Sequence, residues 1–320
     1  MRVLVTGGTG YLGAAIVRAL HGRGHHPVIF SRRASSAGLP GVPHDGDIRD
    51  RRALQLAAAR VDAIVHTAAL VSIWRPDARE FDDVNVGGLL NVLDVARAAA
   101  IPKIVYTSSF LAVPPRGRPE PLRANDYQRT KVRALAEARG AADAGAPIVI
   151  MIPGVVFGPG THTEGNLVGR LIRDHMTGRL PGIIGGDRTW SYAYVDDVAN
   201  AHVEAAERPS VRGEFPLGGT NVPQMRIFEI VRNVTRRPLP RRIPFAAASA
   251  LGMLEEARAR RSGRAPLVTR GAVKIFREDW PVDSARSVAE LNYHVTPLEA
   301  GVGRLLGEPG GSDSFLHTHR

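Results

Sequence analysis

Residues 3–16, VLVTGGTGYLGAAI, decide the fold. The apolar run Val3–Val5 passes directly into Gly7, Gly10 and Gly13, and so into the segment Tyr11–Arg23. There Leu12, Ile16, Ala19 and Leu20 recur at helical spacing, so strand, glycine turn and helix follow one another without a break. Glycine permits a tight turn, lets backbone approach a pyrophosphate, and allows a helix to pack closely on a strand. The first turn of the helix then offers free N–H groups and a favourable dipole to phosphates. Because both the strand and the helix are in place, the stretch predicts a dinucleotide-binding turn, with Gly7, Thr9, Gly10, Tyr11 and Leu12 as its candidate contacts.

Outward from this turn the same rhythm repeats. Apolar runs recur at Pro27–Phe30, Ala63–Val65, Lys103–Thr107 and Pro147–Ile152, with long helical segments at Glu80–Ala100 and Asp126–Ala144. That alternation predicts an α/β protein of Rossmann type, a doubly wound parallel sheet joined by right-handed crossovers. After about Gly158 the pattern loosens into GPGTHTEG and LPGIIGGDRTW, which are loop-like. SYAYVDDVANAHVEAAE then returns to a strand and a helix, and from Arg236 onward short helices and loops dominate. The expected division is a dinucleotide-binding domain at 1–158, to which 190–230 returns. A smaller, discontinuous C-terminal substrate-binding cap takes 159–189 and 231–308, and a frayed tail takes 309–320.

Composition narrows the chemistry. With 320 residues, 44% hydrophobic and 23% charged, the chain can bury a sizeable core. It has no cysteine, which removes disulfides, thiolate metal sites and cysteine nucleophiles. His162 and His175 have no metal-ligand spacing, so ordinary polar contacts and no metal are expected. No apolar run reaches about 18 residues, so no membrane span is expected. A strand at the very start with no signal peptide before it suggests a cytoplasmic protein. The net charge of +11 comes from scattered arginines without a nucleic-acid motif. It reads as a generally basic surface that could attract an anionic cofactor, and no nucleic-acid partner is expected.

The second apolar run ends in VIFSRRASS, without the carboxylate that usually grips the ribose hydroxyls of NAD. Ser31, Arg32 and Arg33 there suit a 2′-phosphate, so NADP is favoured over NAD. The alternative is that the two arginines form only a solvated loop.

Lysine is scarce: Lys103, Lys131 and Lys274 are the only three. One of them stands four residues after Tyr127, in NDYQRTKVRA at 125–134, where helical spacing puts both side chains on one face. A phenol with a pKa near 10 is a poor acid–base group at neutral pH, and a neighbouring ammonium would lower that value. A compact ammonium could also hold ribose hydroxyls, which a broad planar guanidinium does less readily. An ordinary exposed Tyr–Lys pair is the alternative. KIVYTSSFLAV supplies Thr107, Ser108 and Ser109 at a strand end, where a hydroxyl could orient a reacting carbonyl.

With these residues assembled, the chain resembles the extended short-chain dehydrogenase/reductase family over essentially its whole length. TGGTGYLG, GDIRD, HTAALVS, NVGGLLNVLDVA, YTSSF, YQRTK, PGVVFGPG and YVDDVANAH carry the resemblance. Within the family it looks most like the dihydroflavonol-reductase-like branch, and there like the farnesol dehydrogenases of plants, through HTAALVSIWRPD, NVGGLLNVL and TGRLPGIIG. The resemblance implies that Tyr127 is the acid–base and Lys131 its electrostatic and ribose-holding partner. Ser109 would orient the substrate, with Ser108 as the fallback. Asp47 and Ile48 would border the adenine, and Ala68, Ala69 and Leu70 would line the cofactor channel. Asn85 would be a structural asparagine, and Pro153 and Val156 would lie near the nicotinamide. A homodimer through the two long helices is also implied.

Two departures stand out. The loop from Ser109 to Tyr127 is shorter than usual in the family by about ten residues, which predicts a more open substrate site. The farnesol-dehydrogenase likeness also brings an NAD preference, against the NADP reading of Ser31–Arg33. Phe110 and Leu111 stand where family dehydratases carry an Asp-Glu pair, and Gly154 and Val155 where nucleotide-sugar enzymes carry Asn or Arg. The leading expectation is an NAD(P)-dependent oxidoreductase acting on a moderately hydrophobic alcohol, aldehyde or ketone. The alternatives are a nucleotide-sugar epimerase with transient oxidation and a non-catalytic dinucleotide-binding sensor. Trp74, Trp190 and Trp280 could wall the pocket or pack a core. PFAAASALGMLEEA, from Pro244, predicts a helix with an apolar capping face, with membrane-surface contact as the lesser reading.

Overall fold

Strand β1 (Arg2–Thr6) runs into the glycine turn, and helix α1 (Tyr11–Gly22) carries the chain back to β2 (His26–Ser31) and then β3 (Val42–Asp45). The structure, a computed structural model, describes residues 1–161 and 163–307; His162 and the expected tail at 309–320 lie outside the described residues. Helix α2 (Arg51–Ala57), β4 (Ala63–His66), α3 (Arg79–Asp82), α4 (Gly88–Ala98), β5 (Ile104–Thr107), α5 (Asp126–Asp143) and β6 (Ile148–Pro153) follow. A π-helical turn at Asp83–Gly87 fuses α3 and α4 into one helical run, close to the expected Glu80–Ala100. Next come β7 (Val155–Phe157), α6 (Leu167–Met176), β8 (Ile183–Ile184), β9 (Thr189–Tyr194), α7 (Val195–Glu207) and β10 (Gly213–Leu217).

The main sheet has seven strands in the order β10-β6-β5-β4-β1-β2-β3, every neighbouring pair parallel. This is the predicted doubly wound α/β sheet. Alternation of side chains sends Val3 and Val5 into the layer with α1 and α7, and Leu4 into the layer with α2, α4 and α5. Burial on both faces explains why β4 and β6 read as unbroken apolar runs. Edge strand β3 escaped the sequence reading because its VPHD is short, polar and largely exposed. Helix α2 was also missed, although Asp50 caps it by accepting from the Arg52 and Ala53 amides.

From β1 the chain winds one way to β2 and β3, then crosses over to β4 on the other side of β1. The reversal opens a crevice at the carboxyl ends of β1 and β4, where sheets of this kind place their ligands.

The remaining elements are β11 (Thr220–Pro223), α8 (Met225–Thr235), β12 (Arg242–Ile243), α9 (Phe245–Ser262), α10 (Arg270–Phe276), α11 (Ala285–Leu291) and α12 (Leu298–Leu306). Small sheets β11-β9-β7 and β12-β8, with α6, α8, α10 and α12, enclose a separate core around Phe157, Trp190, Phe228 and Trp280. Trp190 and Trp280 are buried there, with indole N–H groups on the Glu278 and Ile275 carbonyls, so both pack a core and neither walls an open pocket. Within 231–308, expected to be cap, α11 instead leans on the main sheet. Ser287 donates to the Pro216 carbonyl, and just beyond α11 Tyr293 donates to that of Gly218.

Candidate active site

The glycine turn is built against the end of β4. Gly7 has φ +69°, in the left-handed region, and a Cβ there would sit 2.7 Å from the Ala68 backbone. A Cβ on Gly13 would collide with the Gly7 carbonyl oxygen. Gly10 donates to that carbonyl at 2.8 Å, closing the turn. As the N-cap of α1, Gly10 brings no side chain to the first-turn amides, which stay open to an anion. Thr9 donates to the Ser31 hydroxyl at 3.0 Å, tying the turn to the end of β2, and Arg32 and Arg33 follow exposed. The Tyr11 side chain is not free for a ligand: it is buried, with its hydroxyl donating to the Gly158 carbonyl at 2.9 Å. Its backbone amide, and that of half-buried Leu12, remain at the helix start.

The other predicted cofactor residues lie after β3 and β4, in the π-helical turn, at the end of β6 and in β7. Asp47 is held by Arg49, whose hydrogen bonds keep the carboxyl below the usual range, helped by the charge of Arg32. Ile48 is buried against Gly88, where a Cβ would meet it at 2.9 Å. Ala68, Ala69 and Leu70 follow β4, and Asn85 fixes them: its amide oxygen accepts from Leu70 N at 2.7 Å. The same amide donates to Thr130 at 3.0 Å, so one buried side chain joins the β4 loop to α5. Pro153 ends β6, and half-buried Val156 lies in β7.

The catalytic candidates converge at the end of β5. Ser108 continues the strand through its amide to the Met151 carbonyl. Ser109 then caps a 3₁₀ turn at Phe110–Ala112, accepting from Leu111 N at 3.2 Å. Asn125 caps α5 by accepting from Gln128 N at 2.8 Å, which starts the helix just before Tyr127. One turn on, Lys131 is 4% exposed and donates to the Thr107 carbonyl at 3.0 Å. The Thr107 hydroxyl is engaged elsewhere, with His202 at 2.9 Å. His202 gives its other ring N–H to the Val198 carbonyl, so Thr107 must be the donor of that pair.

Electrostatics differ from the expectation in one respect. Burial pushes the Tyr127 phenol up to about 12, with the Ser109 hydroxyl beside it pulling the other way. The ammonium of Lys131 does not draw it toward neutrality. That ammonium is itself pushed down to about 8 by burial. Tyr127 is therefore a protonated phenol across the neutral range, ready to donate.

Beneath the pair lies a group the sequence reading did not single out. Lys131 Nζ stands 5.5 Å from the Tyr106 ring centroid, and His66 stacks on that ring at 5.7 Å. His66 is bound to Thr6 at 2.7 Å and driven down to about 3 by burial, so it stays neutral. The Ser108 hydroxyl is buried without a partner. Gln128 was also missed; fully buried, it accepts from Ala124 N and donates to the Leu111 carbonyl, closing the loop between Ser109 and α5. The signal for both was a polar side chain inside an apolar run or on the inner face of a helix. The short loop itself is fastened to the cap, by Arg116 N to the Asp279 carbonyl at 3.0 Å and by the Arg118–Glu278 ion pair at 2.6 Å.

Among the described residues there is no cluster of metal-ligating side chains, and His175 lies edge-on to Phe228 at 5.1 Å. A cradle closed to a Cβ at Gly7 and Gly13 and an uncapped helix start, both at the switch point, fit a dinucleotide.

Comparison with known proteins agrees. Residues 3–217 match the profile described as the NAD dependent epimerase/dehydratase family. The chain is 33% identical over 319 residues to sterol demethylase protein B of Methylococcus capsulatus, covering 94% of this chain and 95% of that one. It is 31% identical over 313 residues to a 4-hydroxy-2-methyl-3-oxo-4-farnesyl-3,4-dihydroquinoline-1-oxide ketoreductase of Stigmatella aurantiaca, covering 92% of each. The crystal structure of gox2253 superposes with a TM-score of 0.77 at 28% identity, over 96% of this chain and 98% of that chain. A match over two thirds of the chain, on the residues that form the cradle and the Ser–Tyr–Lys cluster, places this enzyme in the nicotinamide-dinucleotide-dependent epimerase/dehydratase family, that is, among the extended short-chain dehydrogenases/reductases.

Proposed function

We propose that the protein is an NADP-preferring oxidoreductase that interconverts a moderately hydrophobic alcohol with its aldehyde or ketone. The observation that carries this reading is a protonated, half-buried Tyr127 beside Ser109, with the ammonium of Lys131 held by the Thr107 carbonyl. The cradle of Gly7, Thr9 and Gly10 would hold the pyrophosphate, and Ser31, Arg32 and Arg33 the 2′-phosphate, with NAD as the weaker alternative. The bound dinucleotide supplies or accepts a hydride.

The chain's own groups handle the proton and the oxygen. Ser109 would hydrogen-bond the substrate carbonyl oxygen and fix its position. Tyr127 would give its proton to that oxygen as negative charge develops there. In the oxidative direction the group must first be a phenolate to take the alcohol's proton, and a pKa near 12 keeps it protonated until a further positive charge lies beside it.

Phe110 and Val155 are buried in the core beside Trp190, with Leu111 packed against it, so these places offer no charged side chain to a diphosphate. That favours a less polar substrate. The sterol and farnesyl-quinoline names of two relatives agree with that class. The test is to titrate NADPH and NADH separately, then screen prenyl and sterol alcohols or ketones and nucleotide sugars for cofactor-linked absorbance change. Conversion of a nucleotide sugar without net redox change would replace this reading with epimerisation.

A further inference from the structure

Helix α9 is built inside out. Its inward positions carry the small residues Ala248, Gly252 and Ala259, all buried. A Cβ on Gly252 would meet the Arg270 amide at 3.0 Å, so the helix lies close against the start of α10. Its larger apolar side chains point the other way: Leu251 is 44% exposed, Met253 54% and Leu254 66%. Ala246, Ala247, Ala250 and Ala257 are also exposed, so from Phe245 to Ala257 the outward face carries no charge. Leu267, 81% exposed, stands at the flank of the helix, its amide donating to Glu255. A helix normally turns such residues toward its own protein.

Charge surrounds this apolar face at both ends. Arg241 and Arg242 precede the helix, and Arg260, Arg261 and Arg264 end it, all exposed. None of the five has a carboxylate within ion-pairing distance among the described residues. The two acids of the helix are already spoken for, Glu255 by Arg258 and Glu256 by Arg270.

We propose that the outward face of α9 docks the protein on an anionic lipid surface. Exposed Leu and Met would enter the interface while the flanking arginines meet phosphate headgroups. No helix among the described residues is long and apolar enough to cross a membrane, so the contact is peripheral. A second copy of the chain is the poorer occupant. Antiparallel pairing of two such helices would set Arg241 and Arg242 of one against Arg260 and Arg261 of the other, and the repulsion would oppose it. The inward side of α9, opposite the docked face, leads toward the site. Helix α9 packs on Thr269 and Arg270, and Gly271 packs against Ala124 and Asn125, two residues before Tyr127.

The experiment is co-sedimentation of the full chain with vesicles of phosphatidylglycerol and phosphatidylcholine, compared with phosphatidylcholine alone, with solution mass measured in parallel. The wild type should pellet with the anionic vesicles, less as salt is raised, and weakly with the neutral ones. The double variants Met253→Glu/Leu254→Glu and Arg260→Glu/Arg261→Glu should each lower the partition coefficient about tenfold or more. Both should keep the wild-type melting temperature and dinucleotide affinity, since the changes lie on solvent. Three results would overturn the proposal: wild type that stays in the supernatant with anionic vesicles, variants that pellet as well as wild type, or a wild-type dimer that Met253→Glu/Leu254→Glu splits without any vesicle binding. The last would assign the face to a second copy.

Discussion

The ammonium of Lys131 donates to the Thr107 carbonyl 3.0 Å away and stands over the ring of Tyr106. It is thus held by the strand that carries Ser109, and the phenol of Tyr127 is left protonated. The space is small, a carbonyl on one side and an aromatic face on another. Lys131→Arg puts a broad planar fork where a point charge fits, so kcat/KM should fall by about tenfold or more with the fold intact. Tyr106→Leu, which removes the ring but leaves the lysine, should weaken dinucleotide affinity in the same direction, whereas Tyr106→Phe should not. Steady-state kinetics of Lys131→Arg and fluorescence titration of NADPH on the two Tyr106 variants measure this.

The pH dependence follows from the same pair. Burial lowers Lys131 to about 8, so it is an ammonium below that pH and loses its charge above it. Affinity for the dinucleotide should be flat below about 8 and weaken as pH rises further. Tyr127, near 12, stays protonated throughout and adds no second inflection. A binding curve that strengthens on passing pH 8 would remove Lys131 from the cofactor's ribose.

Tyr127→Phe deletes only the hydroxyl proposed to donate the proton. Turnover should drop by about two to four orders of magnitude while the cofactor dissociation constant stays put. Ser109→Ala should cost kcat as well, and it should also raise the phenol's pKa, since Ser109 is what pulls that value down.

Much of this arrangement was legible before any coordinates. The glycine spacing, the run from Val3 to Val5 and the helix at Asp126–Ala144 specify local structure through short-range sterics and periodicity, and they appear where expected. The scarcity of lysine also carried information, though of a broader kind. Lys103 is buried too, with its ammonium on the carbonyls of Arg208, Pro209 and Val211, and only Lys274 is exposed. Two of three lysines are therefore kept where a compact cation must fit among backbone carbonyls, and one of those places is purely architectural. What the sequence hid were relations between distant segments. His66 stacks under Tyr106, Gln128 ties down Leu111, and α9 turns its leucines outward, and each depends on a neighbour that no local pattern names.

On the proposed reading, cofactor choice rests on Arg32 and Arg33. Both are exposed just past β2, and Arg32 lies near enough to Asp47 to lower its carboxyl. Replacing the pair with alanine should raise KM for NADPH by about tenfold or more and leave NADH within about twofold, because only NADPH brings a 2′-phosphate to a guanidinium. Equal losses for both cofactors would mean that the arginines act only through the general field of the protein.

Two buried histidines should weaken the fold in acid. His66 is held down at about 3 and His202 at about 4, chiefly by burial, against an ordinary value of 6.5. A histidine whose folded pKa is depressed stays neutral in the native chain while the unfolded chain takes up a proton. Stability from this source is fully present above pH 6.5 and is lost as pH falls below it, until each native pKa is reached. Each group contributes a slope of about 1.4 kcal/mol per pH unit in that window. Thermal melting followed from pH 7 to pH 4.5 should therefore show a falling midpoint, with a slope near two protons per chain from these residues. His202→Gln should remove about one of them, at the cost of the Thr107 hydrogen bond and a lower midpoint at pH 7. An unchanged slope in that variant would show that His202 does not stay neutral in the folded chain.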